Sequence, residues 1–278
     1  MEPLTQTIIR TRGPRPDLSL FPNLFYLGPQ RTGSTWLHAN LSRHPEAHLH
    51  RDKETFYFST LGDAKNPRYR HDFLEDYLAN FRESSGSRLL KHYHAMRRCG
   101  LLYRPKVRGD FTASYGVLNP TVIRQIVALQ PELRGIILVR DPLERAWSHA
   151  KKDLLRGRAV RPDISQLLNF MRSPEQLIRA DYNGIIRRWQ DHLQPGHIFV
   201  APSGRISSDP AGLIDDICGF LGIRRLGGPS RRHLSSRQNV TSAEAVPENL
   251  RPDLEKVLGE AQTSFRLLMS EIGPGKIY

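Results

Sequence analysis

The apolar run Asn23-Leu24-Phe25-Tyr26-Leu27 stops abruptly at Gly28-Pro29, and from Ser34 a helical pattern places Trp36, Leu37 and Leu41 on one face. A short buried strand, a glycine-bearing turn and a helix, in that order, form the first half of a β–α–β crossover, which commits the chain to parallel strand pairing. The same alternation recurs downstream. Short strands are predicted at 47–50, 106–111, 135–139 and 197–201, and helices at 72–81, from 120, from 142, and at 174–193, 210–221 and 247–269. Asn119-Pro120 and Asp141-Pro142 are helix starts of a familiar kind: the first residue caps, and the proline occupies a first-turn position that needs no amide hydrogen. Strands alternating with helices imply right-handed crossovers and a central, mostly parallel sheet flanked by helices.

Residues 1–22, with prolines at 3, 14, 16 and 22, read as an irregular lead-in, and 23–278 as one α/β domain. Residues 60–105 read as mixed, with several loops, and 224–237 as a long basic loop. A chain of 278 residues is long enough to bury a sizeable core. Its longest purely aliphatic run, Ile136–Val139, is far short of the ~20 residues of a membrane span. Met1–Asn23 lacks the apolar core of a signal peptide. Cys99 and Cys218 stand in no metal-ligand spacing, so a reducing, cytoplasmic setting is expected. Lys plus Arg number 41 against 28 Asp plus Glu, a net charge of +13, which favours an anionic partner. The arginines are scattered in pairs, with no zinc-finger or RNA-binding signature, so nucleic acid is not the expected one.

Gly28-Pro-Gln-Arg31-Thr32-Gly33-Ser34-Thr35 lies where free amides at a helix N-terminus can cradle an anion. The spacing approaches the G-x-x-x-x-G-K-[ST] loop of nucleotide-binding proteins, but Ser34 stands in the lysine position and the cation comes earlier, as Arg31. That arrangement suits an anion whose bridging oxygen Arg31 neutralises. A second motif, Ile136-Ile-Leu-Val-Arg140-Asp141-Pro142 leading to Ser148, puts an arginine at the carboxyl end of a strand and a hydroxyl about two turns into the next helix. Arg140 and Ser148 are candidates for a second, separate phosphate. Asp141 as a magnesium-binding acid is the rival reading, opposed by its position as an N-cap.

In this order, Arg31-Thr-Gly-Ser-Thr-Trp-Leu37, His44-Pro45, Lys53-Glu54-Thr-Phe-Tyr-Phe58, Gly109-Asp-Phe-Thr-Ala-Ser-Tyr115 and Val139-Arg140-Asp-Pro…Ser148 resemble the PAPS-dependent sulfotransferases, especially the branch of heparan-sulfate-type and bacterial enzymes. The resemblance runs from about Asn23 to Gly222 and implies a P-loop-kinase-like α/β fold. It implies that Arg31, Thr32, Gly33, Ser34, Thr35 and Trp36 hold the 5′-phosphosulfate of PAPS (3′-phosphoadenosine 5′-phosphosulfate), and Arg140 and Ser148 its 3′-phosphate. It also implies a loop closing over the nucleotide near 231–239, with Arg237 as a candidate. The implied reaction is in-line transfer of a sulfuryl group to a hydroxyl or amine, releasing PAP and needing no metal. Arg31 would act on the leaving oxygen and Glu54 as the general base. Phe111 stands where heparan-type relatives carry a lysine, and Ser203-Gly-Arg-Ile206 replaces an acidic turn.

Histidine is the rival base: His50 lies near a strand end, and Lys91-His92-Tyr-His94 superficially resembles the base motif of cytosolic members. The spacings His48-x-His50 and His92-x-His94 could also set paired imidazoles on a strand face as metal ligands, although the chemistry requires none. Two other classes stay open: a nucleotide kinase or NTPase with a degenerate loop, and a basic nucleic-acid-binding protein. The acceptor is expected to be a small molecule or carbohydrate, anionic ones included, shaped by 60–105 and 150–180.

Overall fold

The computed structural model describes residues 9–155, 163–227, 246–248 and 250–278. Strand β1 (Leu24–Tyr26) leads through the glycine turn into α1 (Ser34–Leu41), followed by β2 (Ala47–Leu49), α2 (Leu74–Ala79), α3 (Ser85–Cys99) and β3 (Val107–Asp110). Helix α4 (Pro120–Leu129) crosses to β4 (Arg134–Val139), which feeds α5 (Pro142–Ala150) and a π-helical turn over Lys151–Leu155. Then come α6 (Ile164–Arg172), α7 (Pro174–Ala180), α8 (Tyr182–Gln190), β5 (Ile198–Pro202), α9 (Arg205–Ser208), α10 (Pro210–Leu221), α11 (Arg251–Ile272) and β6 (Lys276–Ile277).

The sheet order is β2-β3-β1-β4-β5-β6. The first five strands pair in parallel, and β6 runs antiparallel to β5 through Phe199↔Ile277. From β1 the chain runs to the edge strand β2, returns to β3 beside β1, then crosses to β4 on the other side. The carboxyl ends of β1 and β4 therefore flank a topological switch point, where open α/β sheets bind ligands.

Alternation along each strand serves two cores, as a sheet covered on both faces requires. Phe25, Ile137, Val139 and Val200 face one cluster with α4, α8 and the end of α11; Leu24, Tyr26, Ile136 and Leu138 face the other, against Trp36, Leu37 and Leu41 of α1 and Leu213 and Ile217 of α10. A third apolar cluster joins α5, α6 and α11 through Leu143, Trp147, Met171, Leu254 and Leu258, and backs the helix that carries Ser148.

Three expectations need correction. The helix predicted over 174–193 is two, broken at Asp181, whose side chain caps α8 by accepting from the Gly184 amide at 2.8 Å. Residues 60–105, expected to be mixed with one helix at 72–81 and several loops, also contain the long helix α3. Ala95 is its only fully buried residue, so no core-facing stripe marks it. His92 and His94 consequently lie on a helix, not a strand, and two residues apart there do not share a face.

Candidate functional site

The turn after β1 is built to expose backbone amides. Gly33 adopts φ +104° as the N-cap of α1 and supplies no side-chain cap to the first amides of the helix. A Cβ at Gly33 would collide with the Ile206 side chain, and one at Gly28 with the Ala113 carbonyl. Glycine is therefore required at Gly28 by packing against backbone as well as by backbone angle, and at Gly33 chiefly by its positive φ. Thr32 is a brace within this turn: its buried hydroxyl donates to the Pro29 carbonyl at 2.7 Å and lies 2.6 Å from the Tyr26 hydroxyl. Ser34 is buried and Thr35 half-buried. The Trp36 side chain is packed in the core, so only its backbone can belong to an anion cradle.

Arg31 sits at φ +71°, the left-handed region that costs a branched or bulky side chain on the order of 1–3 kcal/mol. Its half-buried guanidinium donates from Nε to Ser148 Oγ at 3.0 Å. Burial, with Arg140 second, lowers the Arg31 pKa from its ordinary value; both effects disfavour the cation, and an anion beside it relieves both. Arg140 Nη1 reaches the Arg31 carbonyl at 3.4 Å, and its Nη2 lies 3.6 Å from Glu144. Tyr182 fixes this strand end, donating to the Arg140 carbonyl at 2.7 Å and accepting from its amide at 3.2 Å. The two motifs, far apart in sequence, thus meet through Arg31, Ser148 and Arg140. Asp141 accepts from the amides of Leu143 and Glu144 and is spent as a helix cap.

Glu54 lies on the loop after β2, half-buried, with Lys53 Nζ 3.2 Å from its Oε1. The next residue, Thr55, is bolted to β3: its hydroxyl donates to Asp110 Oδ2 at 2.6 Å, and its amide to Thr112 Oγ1 at 2.9 Å. Asp110 is fully buried and also accepts from Thr112, Tyr77 and Tyr115 hydroxyls at 2.6, 2.9 and 3.0 Å. Burial nevertheless raises its pKa, because four neutral donors only partly replace water. Phe56 is held at φ +57°, with the Arg68 guanidinium 4.6 Å from its ring centroid. Arg179, buried on α7, feels the charges of both Arg68 and Glu54, and pairs with Glu175.

Sequence reasoning overlooked Asp110, Tyr77 and Tyr182; Asp110 stood within a quoted motif, but its role depends on contacts that only folding creates. Phe111 is fully buried, stacked on Tyr26 at 5.5 Å, so no cation comes from that position. His48 is engaged by Lys91 at 2.9 Å, and among the described residues no group of three or more His, Cys, Asp or Glu could hold a metal ion. Arg237 lies outside the described residues.

The glycine turn after β1 and the arginine after β4 thus meet at the switch point of a parallel sheet, where open α/β sheets bind ligands. The profile of the sulfotransferase family matches residues 22–226, and the chain belongs to that family. Heparan sulfate glucosamine 3-O-sulfotransferase 3B1 of Mus musculus is 30% identical over 125 residues, covering 41% of this chain and 31% of the relative. The bifunctional heparan sulfate N-deacetylase/N-sulfotransferase 1 of Xenopus laevis is 24% identical over 216 residues, covering 73% of this chain and 22% of the relative. The chain thus spans less than a third of the length of these curated relatives. Among solved structures, a sulfotransferase from Alicyclobacillus acidocaldarius superposes with TM-score 0.62 at 20% identity, covering 90% of this chain and 96% of that one. Mouse sulfotransferase SULT7A1, solved with PAP, gives 0.50 at 16% identity, covering 88% of this chain and 85% of that one. The structural likenesses bear out the α/β fold, and the family profile bears out the family expected from the motifs.

Proposed function

We propose that this sulfotransferase moves a sulfuryl group from PAPS to a hydroxyl or amine of a small-molecule or carbohydrate acceptor, in a cytoplasmic setting. The observation that carries the reading is the Arg31–Ser148 contact, which joins the glycine turn before α1 to helix α5, the helix that β4 feeds. Loop amides and Arg31 would bind the phosphosulfate end, and Arg140 and Ser148 the 3′-phosphate. PAPS supplies an activated sulfur with a phosphate leaving group. As the acceptor oxygen or nitrogen bonds to sulfur, the bridging S–O bond breaks, Arg31 neutralises the departing oxygen, and Glu54 takes the acceptor's proton. Arg179, which feels the charges of both Arg68 and Glu54, favours an acceptor carrying its own negative charge.

Calorimetric titration with PAP in EDTA, with ATP in parallel, tests this reading. Micromolar PAP binding with much weaker ATP binding is expected; magnesium-dependent ATP binding without PAP binding would replace it with a degenerate NTPase. In the same titration Arg140→Ala is expected to weaken PAP binding about tenfold or more, the loss of a charge-assisted contact of roughly 1.5–3 kcal/mol. Unchanged affinity would remove Arg140 from the phosphate site.

A further inference from the structure

Helix α3 turns its apolar side outward. Leu89 is 71% exposed, and Leu90, Tyr93, Met96 and the following Leu102 are each about half exposed. Leu89, Tyr93 and Met96 fall at i, i+4 and i+7, one stripe along the helix, with Leu90 on its flank. The surrounding segment is uniformly basic: from Ser85 to Gly109 there are seven Lys or Arg and no Asp or Glu. Arg97, at the edge of the stripe, lies 5.7 Å from the Tyr93 ring centroid and donates to its hydroxyl at 3.2 Å.

The inner side of the helix has its own partners. Lys91 Nζ bonds Glu83 Oε1 at 2.7 Å and His48 Nδ1 at 2.9 Å, and the Tyr103 hydroxyl donates to Glu83 Oε1 at 2.9 Å. These contacts fasten α3 to the β2 edge, so the outward stripe is a fixed feature of the surface.

We propose that the outward face of α3, with Leu102 beside it, docks on an anionic lipid bilayer. The helix would lie in the interface plane, its apolar residues at the headgroup–acyl boundary and its arginines among the lipid phosphates. Two properties select this occupant. The face is a convex helix rather than a groove, and a fluid bilayer conforms to a convex apolar stripe. A second copy is disfavoured because two such faces would bring the exposed Arg88 and Arg97 that flank the stripe in each copy together. No helix among the described residues is long and apolar enough to cross a membrane, so attachment by α3 is peripheral.

Flotation of the full chain with phosphatidylcholine vesicles, with and without phosphatidylserine, tests the proposal. Binding to the phosphatidylserine vesicles alone is expected, declining as salt rises. The triple variant Leu89→Gln, Tyr93→Gln, Met96→Gln should lower partitioning about tenfold or more, and Arg97→Gln about fivefold. All four positions are exposed, so the unfolding midpoint and PAP binding should be unchanged. Failure to bind any vesicle would overturn the proposal, as would vesicle binding that survives the triple variant, which would reflect only the +13 net charge. Self-association, or retention on immobilised polyglutamate, lost in the triple variant without vesicle binding would likewise overturn it, in favour of a second copy or an acidic protein.

Discussion

Turnover of Glu54→Gln is expected to fall by about 10²–10⁴-fold, the usual worth of a positioned general base, while PAP binds as before. The substitution keeps the shape of the side chain and its ability to accept from Lys53, 3.2 Å away, but an amide cannot take the acceptor's proton. Glu54 approaches the cleft from the loop after β2, whereas the proposed nucleotide contacts come from α1, β4 and α5, so loss of the base should spare the nucleotide. The measurement is steady-state turnover beside PAP titration of the same preparation. Retained turnover would transfer the role to His50, whose Nδ1 contacts the Asp52 carbonyl; as the donor in that contact it would leave Nε2 to accept a proton. Parallel loss of PAP affinity would instead mean that the substitution had disturbed the fold.

What could be read in the sequence was what is local. The turn from Gly28 to Thr35 is contiguous, and its glycines, early arginine and following helix are visible without any tertiary contact. Arg140 and Ser148 were legible for a related reason: both follow from one strand and the helix it feeds. Their contact with Arg31 was not legible, because spacing cannot say how closely two strand ends approach. Helix α3 was missed because its apolar residues face outward and give no sign of a core. The antiparallel β6 is only two residues long, too short to carry a pattern. The buried carboxylate of Asp110 was hidden in another way: a lone aspartate at a strand end reads as a turn residue until folding surrounds it with hydroxyls.

That carboxylate carries the second large effect. Asp110→Ala should destabilise the protein by roughly 3 kcal/mol or more, because it leaves the hydroxyls of Thr55, Thr112, Tyr77 and Tyr115 buried without their shared acceptor. Thr55 adjoins Glu54, so the same change frees the loop that aims the base, and turnover should fall further than the unfolded fraction accounts for. PAP affinity of the folded fraction should hold, since Arg31, Arg140 and Ser148 make none of these contacts. Asp110→Asn, which keeps one carbonyl acceptor, should recover part of both losses. The pH dependence has a definite sign. Burial raises the native pKa of Asp110, so between its ordinary value and the raised one the folded state holds more protons than the unfolded state. The contribution of Asp110 therefore weakens stability as pH rises through that window and levels off above it. Urea unfolding across the acidic range should show that decline in the parent chain, superposed on the response of the other carboxylates, and Asp110→Asn should remove it. An identical pH response in the two proteins would show that Asp110 does not titrate in the folded state as its surroundings imply.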